Sequence, residues 1–326
     1  MGGDHAPAAI IAGVVDAIKE FDITVALIGI QEQVERELAK YQYPTERIHI
    51  LHAPEVVEMH ESATTSIRRK RNSSITLGIE LLKDPSYHAF VSAGNTGAVV
   101  AAATVNLGMI PGVDRPGIGL VIPTLKKFAF MIDVGANTEP KPQHLLQYAV
   151  MGSVYAREVL DVENPSVGLL NIGEEEVKGS DFVKEAHKFI SDKLPNFKGN
   201  IEGNEIFAGK CDCIVCDGFV GNIVLKVSEG LAESASALIK REVKKSPIAM
   251  LGALLMRSRL LYVKKMADYS EYGGAPLLGV NGIVMISHGR SNPKAIKNAI
   301  RATMREVDHN LVEKIKKELN TETIPA

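Results

Sequence analysis

Four apolar runs in this chain each stop at a loop of small residues that also carries a polar side chain: Ser92 to Ala98 (SAGNTGA), Asp133 to Pro142 (DVGANTEPKP), Asn171 to Ser180 (NIGEEEVKGS) and Asp217 to Asn222 (DGFVGN). In an open parallel sheet, loops that leave the strand ends converge on one crevice. A helix that begins just after a glycine aims its free N–H groups at whatever is bound there, which suits an anion. Asn95, Asn137 and Asn222 add neutral donors, Lys141 and Lys178 add cations, and only SAGNTGA has no charged residue. That mixture points to phosphate chemistry beside a polarised carbonyl.

The flanking sequence supports such a sheet. Ala6 to Phe21 reads as a helix with Pro7 in its first turn and Ile10, Ile11, Val14, Val15 and Ile18 at helical spacing. Strands are predicted at Thr24–Ile30, Ile48–His52, Ala89–Ser92, Gly117–Pro123, Phe128–Asp133, Val167–Ile172, Cys213–Cys216 and Gly282–Ser287, with helices between most of them. Near-continuous apolar strands alternating with helices imply an α/β fold, a Rossmann-like αβα sandwich whose sheet is mostly parallel. The short Leu-Lys-Lys turn before Phe128 predicts one antiparallel hairpin. From Asn222 to about Tyr269 the pattern changes to a helical hairpin broken at Pro247, and Asn292 to Leu319 reads as a closing helix. No linker or repeat divides the 326 residues, so we read residues 1–326 as a single α/β domain with a hairpin excursion at residues 222–269.

Net charge is only −2, so no global basic field calls for nucleic acid, although Arg68 to Arg71 (RRKR) and Lys240 to Lys245 (KREVKK) are local clusters that suit an acidic partner or a solvated face. The start MGGDHAP lacks the features of a signal peptide, and we expect a cytoplasmic protein. Cys211, Cys213 and Cys216 are close together, but no fourth ligand lies at zinc-site spacing, so no metal is expected. His49 and His52 are predicted to lie on opposite faces of a strand. The second hairpin arm, Pro247 to Met256, has no charge and is followed by Arg257, Arg259, Lys264 and Lys265. It is too short to span a bilayer, which takes about 20 apolar residues. Leu254, Leu255, Arg257 and Arg259 are therefore candidates for contact with a second copy of the chain or, peripherally, with an anionic membrane.

Ten motifs in order resemble one bacterial family, the PlsX-type phosphate acyltransferases of phospholipid synthesis: MGGDHAP, RRKRNSS, SAGNTGA, DRP, DVGAN, KPQHLLQYAVMGS, LLNIGEEEVKG, DGFVGN, YGGAPLLG and SHG. The resemblance implies transfer of a fatty acyl group from acyl-acyl carrier protein to inorganic phosphate, on a fold similar to isopropylmalate dehydrogenase and phosphotransacetylase. It also implies a short strand ahead of MGGDHAP, so the sheet of this sequence is expected to be one strand short.

The resemblance places Lys178 in the catalytic site, where spacing alone would equally allow a solvated lysine. Asn222, near the start of a long helix, is expected to direct an amide at the oxyanion, or to cap the helix, or both. Gly94, Asn95 and Thr96 open another helix and are expected to meet phosphate or simply to cap. Arg115 is expected to contact phosphate or to pair with Asp114 or a helix end. Asp133, Asn137, Lys141 and His144 carry over as binding-loop residues.

Phosphate is itself a competent nucleophile, so such a site needs positioning and oxyanion stabilisation and no activated serine or cysteine. GNTG lacks the G-x-G-x-x-G spacing, so no nicotinamide cofactor is expected, nor any other cofactor. Two rival functions remain. One is a phosphotransacetylase acting on an acyl-coenzyme A thioester, and the other is a non-enzymatic membrane scaffold for lipid-synthesis enzymes.

Overall fold

The computed structural model describes residues 1–267, 271 and 273–321. In chain order the N-terminal half contains α1 (Ala8–Glu20), β1 (Val25–Gly29), α2 (Gln31–Leu38), β2 (Ile48–His52), α3 (Ala63–Arg69), α4 (Ser74–Leu81), β3 (Ala89–Ser92), α5 (Thr96–Asn106), β4 (Gly117–Pro123), β5 (Phe128–Ile132) and α6 (Pro142–Glu158). There follow β6 (Val167–Leu170), α7 (Asp181–Lys193), β7 (Phe197–Ile201), β8 (Cys213–Val215), α8 (Gly218–Lys244), α9 (Pro247–Leu255), α10 (Arg257–Ala267), β9 (Ala275–Leu278), β10 (Ile283–Ile286), α11 (Pro293–Asp308) and α12 (Leu311–Thr321).

The main sheet has eight strands in the order β3-β10-β9-β4-β5-β8-β6-β7. The pairs β3–β10, β5–β8, β8–β6 and β6–β7 are parallel. The β4–β5 pair is the expected antiparallel hairpin, and β9 runs antiparallel to both β4 and β10. Alternation along β5 shows why its apolar run is unbroken. Phe130 and Ile132 join the cluster of α6, α7 and α12 on one face, whereas Ala129 and Met131 join the α5 cluster on the other. Helix α6 is buried almost all round because Gly152 lets it approach β8; a Cβ there would be 2.5 Å from Cys213 Sγ.

β1 and β2 form a separate parallel pair. A cavity of about 580 Å³, lined by Val25, Leu27, Phe90 and Val91 together with Ile10 and Val14 of α1, lies between this pair and the edge strand β3.

Other differences from the sequence reading have local causes. Helix α8 begins at Gly218, one turn before Asn222, because Asp217 caps it. The apolar arm after Pro247 breaks again at Met256, giving α9 and α10. The end of the arm at Tyr269 lies outside the described residues, as does Tyr272 of YGGAPLLG. The closing helix is split by Asn310, whose φ of 50° is the left-handed conformation that asparagine tolerates. Strands β7 and β9 were not anticipated.

Candidate active site

The loops of the candidate site fall into two groups. Ala98, Val99, Ala102 and Ala103 of α5 share a buried cluster with Val134, Cys216 and Leu170, and Ala136 and Val224 pack against it. The first group is MGGDH, SAGNTGA and SHG. Gly3 lies so close to the β3 loop that a Cβ would be 2.6 Å from the Ala93 carbonyl oxygen. Asp4 N–H donates to the Gly289 carbonyl at 2.9 Å.

At α5 the asparagine works inward. Asn95 Oδ1 accepts the Ala98 N–H at 2.9 Å, and its Nδ2 faces the carbonyls of Glu58, Met59 and Glu61, each at 3.1 Å. Its amide therefore ties the 58–61 segment to the loop and does not reach a ligand. The Val99 N–H goes to the Asn95 carbonyl and the Gly94 N–H to Ser92 Oγ at 3.2 Å. That leaves the N–H groups of Thr96 and Gly97, both exposed, without a partner among the described residues. Those two donors lie at the positive end of an 11-residue helix, where a bound anion is favoured.

The second group contains DVGAN and DGFVGN. Asp133 is fully buried and accepts the N–H groups of Ile118, Gly135, Ala136 and Asn137 at 2.7–3.1 Å. Burial pushes its carboxyl above the usual range, against those donors, which favour the anion. Asn137 Nδ2 donates to Tyr148 Oη at 2.8 Å and faces the Pro116 carbonyl and Asp133, while the Asn137 carbonyl accepts the Gly218 N–H at 2.8 Å. Both side chains hold the loop in shape. At α8 every first-turn donor is used: Phe219 and Val220 N–H by Asp217 Oδ1, Gly221 N–H by the Asp217 carbonyl. This helix end offers no free N–H to an anion, contrary to the general expectation for these loops. The consequence for Asn222 is favourable, because with Asp217 as cap its exposed amide has no capping task. It lies against Gly135, where a Cβ would be 3.8 Å from Asn222 Oδ1.

Cations gather at the start of α6. Asp114 accepts a hydrogen bond from Gln147 Nε2 at 2.8 Å and lies 3.8 Å from His144 Nε2. The exposed Arg115 is thereby left without a carboxylate among the described residues, which removes the Asp114 pairing. Lys141 is also exposed and forms no ion pair there, and its N–H donates to His144 Nδ1 at 3.1 Å. Burial lowers the His144 pKa, Asp114 opposes this, and Arg115 and Lys141 add to the lowering. His144 is thus neutral at neutral pH, in keeping with its Nδ1 accepting the Lys141 N–H.

The β6 loop is built around its backbone. Asn171 Nδ2 donates to the Lys178 carbonyl at 3.1 Å, and Asn200 Nδ2 donates to the Glu175 carbonyl at 3.0 Å. Gly179, at φ 89°, makes the turn that follows. Glu174 pairs with Lys210 at 2.9 Å, an ammonium that also holds Glu205 at 2.6 Å. Lys178 is exposed, and its ammonium makes no hydrogen bond or ion pair among the described residues. Sequence reasoning missed Asn200 and Gln147, which act across long sequence separations.

A profile of the family described as "Fatty acid synthesis protein" matches residues 1–314. A phosphate acyltransferase of Desulfitobacterium hafniense (strain DSM 10664 / DCB-2) is 50% identical over 98% of this chain and 96% of its own length. The chain belongs to the phosphate acyltransferase family. A second phosphate acyltransferase, from Alkaliphilus oremlandii, is 47% identical over 97% of this chain and 94% of its own length. Among solved structures, EutD phosphotransacetylase from Staphylococcus aureus superposes with a TM-score of 0.60 at 16% identity, covering 91% of this chain and 90% of its own. A phosphotransacetylase from Streptococcus pyogenes gives 0.59 at 15% identity, covering 93% and 99%. These two likenesses bear on the fold, and they agree with the α/β architecture expected from the sequence.

The cysteines of this family member are poor nucleophiles. All three are buried, and burial pushes the Cys211 thiol up to about 11 and raises those of Cys213 and Cys216 well above the usual thiol range. The native protein is expected to resist iodoacetamide near pH 7.5 and to keep full activity during the exposure, as mass spectrometry and a parallel rate assay would show. Rapid alkylation accompanied by loss of rate would implicate a thiol in the chemistry.

Proposed function

We propose that this acyltransferase moves a fatty acyl group from an acyl-acyl carrier protein thioester to inorganic phosphate, by direct attack of a phosphate oxygen on the carbonyl. The observation that carries this reading is the pair of unclaimed N–H groups at Thr96 and Gly97, in a site whose cations Arg115, Lys141 and Lys178 have no carboxylate partner among the described residues. Donors and cations of this kind hold a polyanion and a developing oxyanion without a protein nucleophile. In this mechanism Thr96, Gly97, Arg115 and Lys141 hold phosphate. Lys178 and Asn222 stabilise the oxyanion, and the thiolate leaves unprotonated. The experiment compares phosphate-dependent turnover of carrier-protein and coenzyme A thioesters of one acyl chain. Higher kcat/KM with the carrier is expected, and preference for coenzyme A would favour the phosphotransacetylase reading.

The hairpin supports peripheral attachment and self-association. Ile248, Leu254 and Leu255 of α9 are 84%, 64% and 78% exposed, beside exposed Arg257 and Arg259. No helix among the described residues is long and apolar enough to cross a membrane. We assign the α9 tip, with its basic flank, to an anionic lipid surface, and the exposed Ile223, Val227 and Leu231 stripe of α8 to a second copy of the chain. Leu254→Glu with Leu255→Glu is expected to weaken sedimentation with anionic vesicles by at least tenfold while leaving the dimer intact by light scattering. Dissociation of the dimer with unchanged vesicle binding would reverse the assignment.

A further inference from the structure

We propose that Arg68, Arg69 and Arg71 form the surface on which the acidic carrier protein docks; this rests on the carrier-thioester reading above. Among the described residues Arg47, Arg157, Arg241, Arg290 and Arg305 each lie within ion-pair distance of a carboxylate, and the other arginines outside this run, Arg36, Arg115, Arg257, Arg259 and Arg301, are spread singly or in pairs along the chain. In the RRKR run only Lys70 does so, with its ammonium on Glu61 and on the Val56 carbonyl at 2.6 Å. The three arginines are exposed and pair with nothing among the described residues. Three guanidinium groups within four positions repel one another, and an anionic partner relieves that repulsion.

Their placement fits delivery of a thioester. Helix α3 buries Ser66 and Ile67 and turns Thr64, Thr65, Arg68 and Arg69 outward along a shallow groove. Its first residue touches the anion loop, since a Cβ on Gly97 would be 3.0 Å from Ala63 Cβ. A helix of 7 residues spans roughly 10 Å, so the arginines lie about that far from the free donors of α5. The platform is also fixed to that loop. Asn95 holds the carbonyls of Glu58, Met59 and Glu61, and Glu61 in turn accepts from Ser66 at 2.8 Å and from Lys70. Those two partners hold the Glu61 carboxyl down at about 2, so it stays charged and the clamp stays closed across the physiological range. A carrier bound to the arginines would therefore be registered against the phosphate site through side chains already in place. The groove is lined by threonines rather than large apolar side chains, unlike the hairpin tip, and this favours an acidic protein surface over lipid.

The test uses the full chain with Arg68→Glu, Arg69→Glu and Arg71→Glu combined, and a companion with Lys at all three positions. Rates are measured with an acyl-carrier thioester and with an acyl-pantetheine thioester of the same chain. For the Glu variant, carrier kcat/KM is expected to fall at least tenfold, mainly through KM, with acyl-pantetheine turnover and Tm unchanged. The Lys variant is expected to recover most of the loss, and the salt dependence seen in the unmodified protein should flatten in the Glu variant. Carrier kcat/KM within twofold of the unmodified protein, or an equal fall with acyl-pantetheine, would overturn the proposal. So would a loss of vesicle binding with carrier kinetics unchanged. If the unmodified protein itself shows no preference for the carrier over acyl-pantetheine, the carrier reading has failed first, and the docking surface falls with it.

Discussion

Replacing Lys178 by alanine is expected to lower phosphate-dependent acyl transfer roughly a hundredfold or more, the usual scale for losing one group that stabilises an oxyanion. Asn222→Ala is expected to do the same. Neither change should move Tm appreciably, because both side chains are exposed and no helix cap or ion pair depends on them. The Asn222 case is the sharper of the two. Had that amide capped α8, its removal would cost about 1 kcal/mol of stability, but Asp217 already occupies that role. Rate loss at constant stability is therefore the expected combination, measured by initial rates together with thermal unfolding. Unchanged rates in both variants would remove these residues from the chemistry and reopen the scaffold reading.

A second large effect is expected from one methyl group. A Cβ on Gly221 would be 1.9 Å from the Asp133 carbonyl oxygen and 2.9 Å from Cys216 Sγ. Both neighbours are fixed, the first by a loop wound round the buried Asp133 carboxylate and the second by the core. Helix α8 would have to move off the DVGAN loop by more than an ångström. Alanine gains about 1 kcal/mol of helix propensity over glycine, but overpacking of this kind costs on the order of 1–3 kcal/mol or more. Gly221→Ala is thus expected to lower Tm and also to reduce kcat about a hundredfold, because misplacing reacting groups by 1 Å has that effect. A variant with raised Tm and normal kcat would contradict the close approach of helix and loop.

The two predictions separate what the sequence made legible from what it did not. Strands such as β4, β5 and β8 were readable because both faces are buried, so Phe130 and Met131 both had to be apolar. Strand β9 was missed because it has four residues, one of them Pro276, and one of its two partners, β4, comes from a distant part of the chain. Strand β7 was missed because Lys198 and Gly199 interrupt its apolar pattern. In the site, the glycine loops were readable from composition, and the direction of each polar side chain was not. Asn95, Asn137 and Asn222 look alike as letters, yet the first two are consumed by carbonyls and by Tyr148 while the third makes no side-chain hydrogen bond among the described residues. For Asn95 and Asn137 the decision is made by groups more than ten residues away, the carbonyls of residues 58–61 and Tyr148, and likewise Gln147 takes Asp114 from across 33 positions.

The central claim is that phosphate attacks the thioester directly. A single-turnover experiment with radiolabelled acyl-carrier thioester, quenched in denaturant with and without phosphate, tests it most directly. The account predicts label in acyl phosphate only when phosphate is present, and no label on the denatured protein at any time. Acyl label bound covalently to a residue of the chain, formed without phosphate and passed to phosphate at the turnover rate, would contradict it.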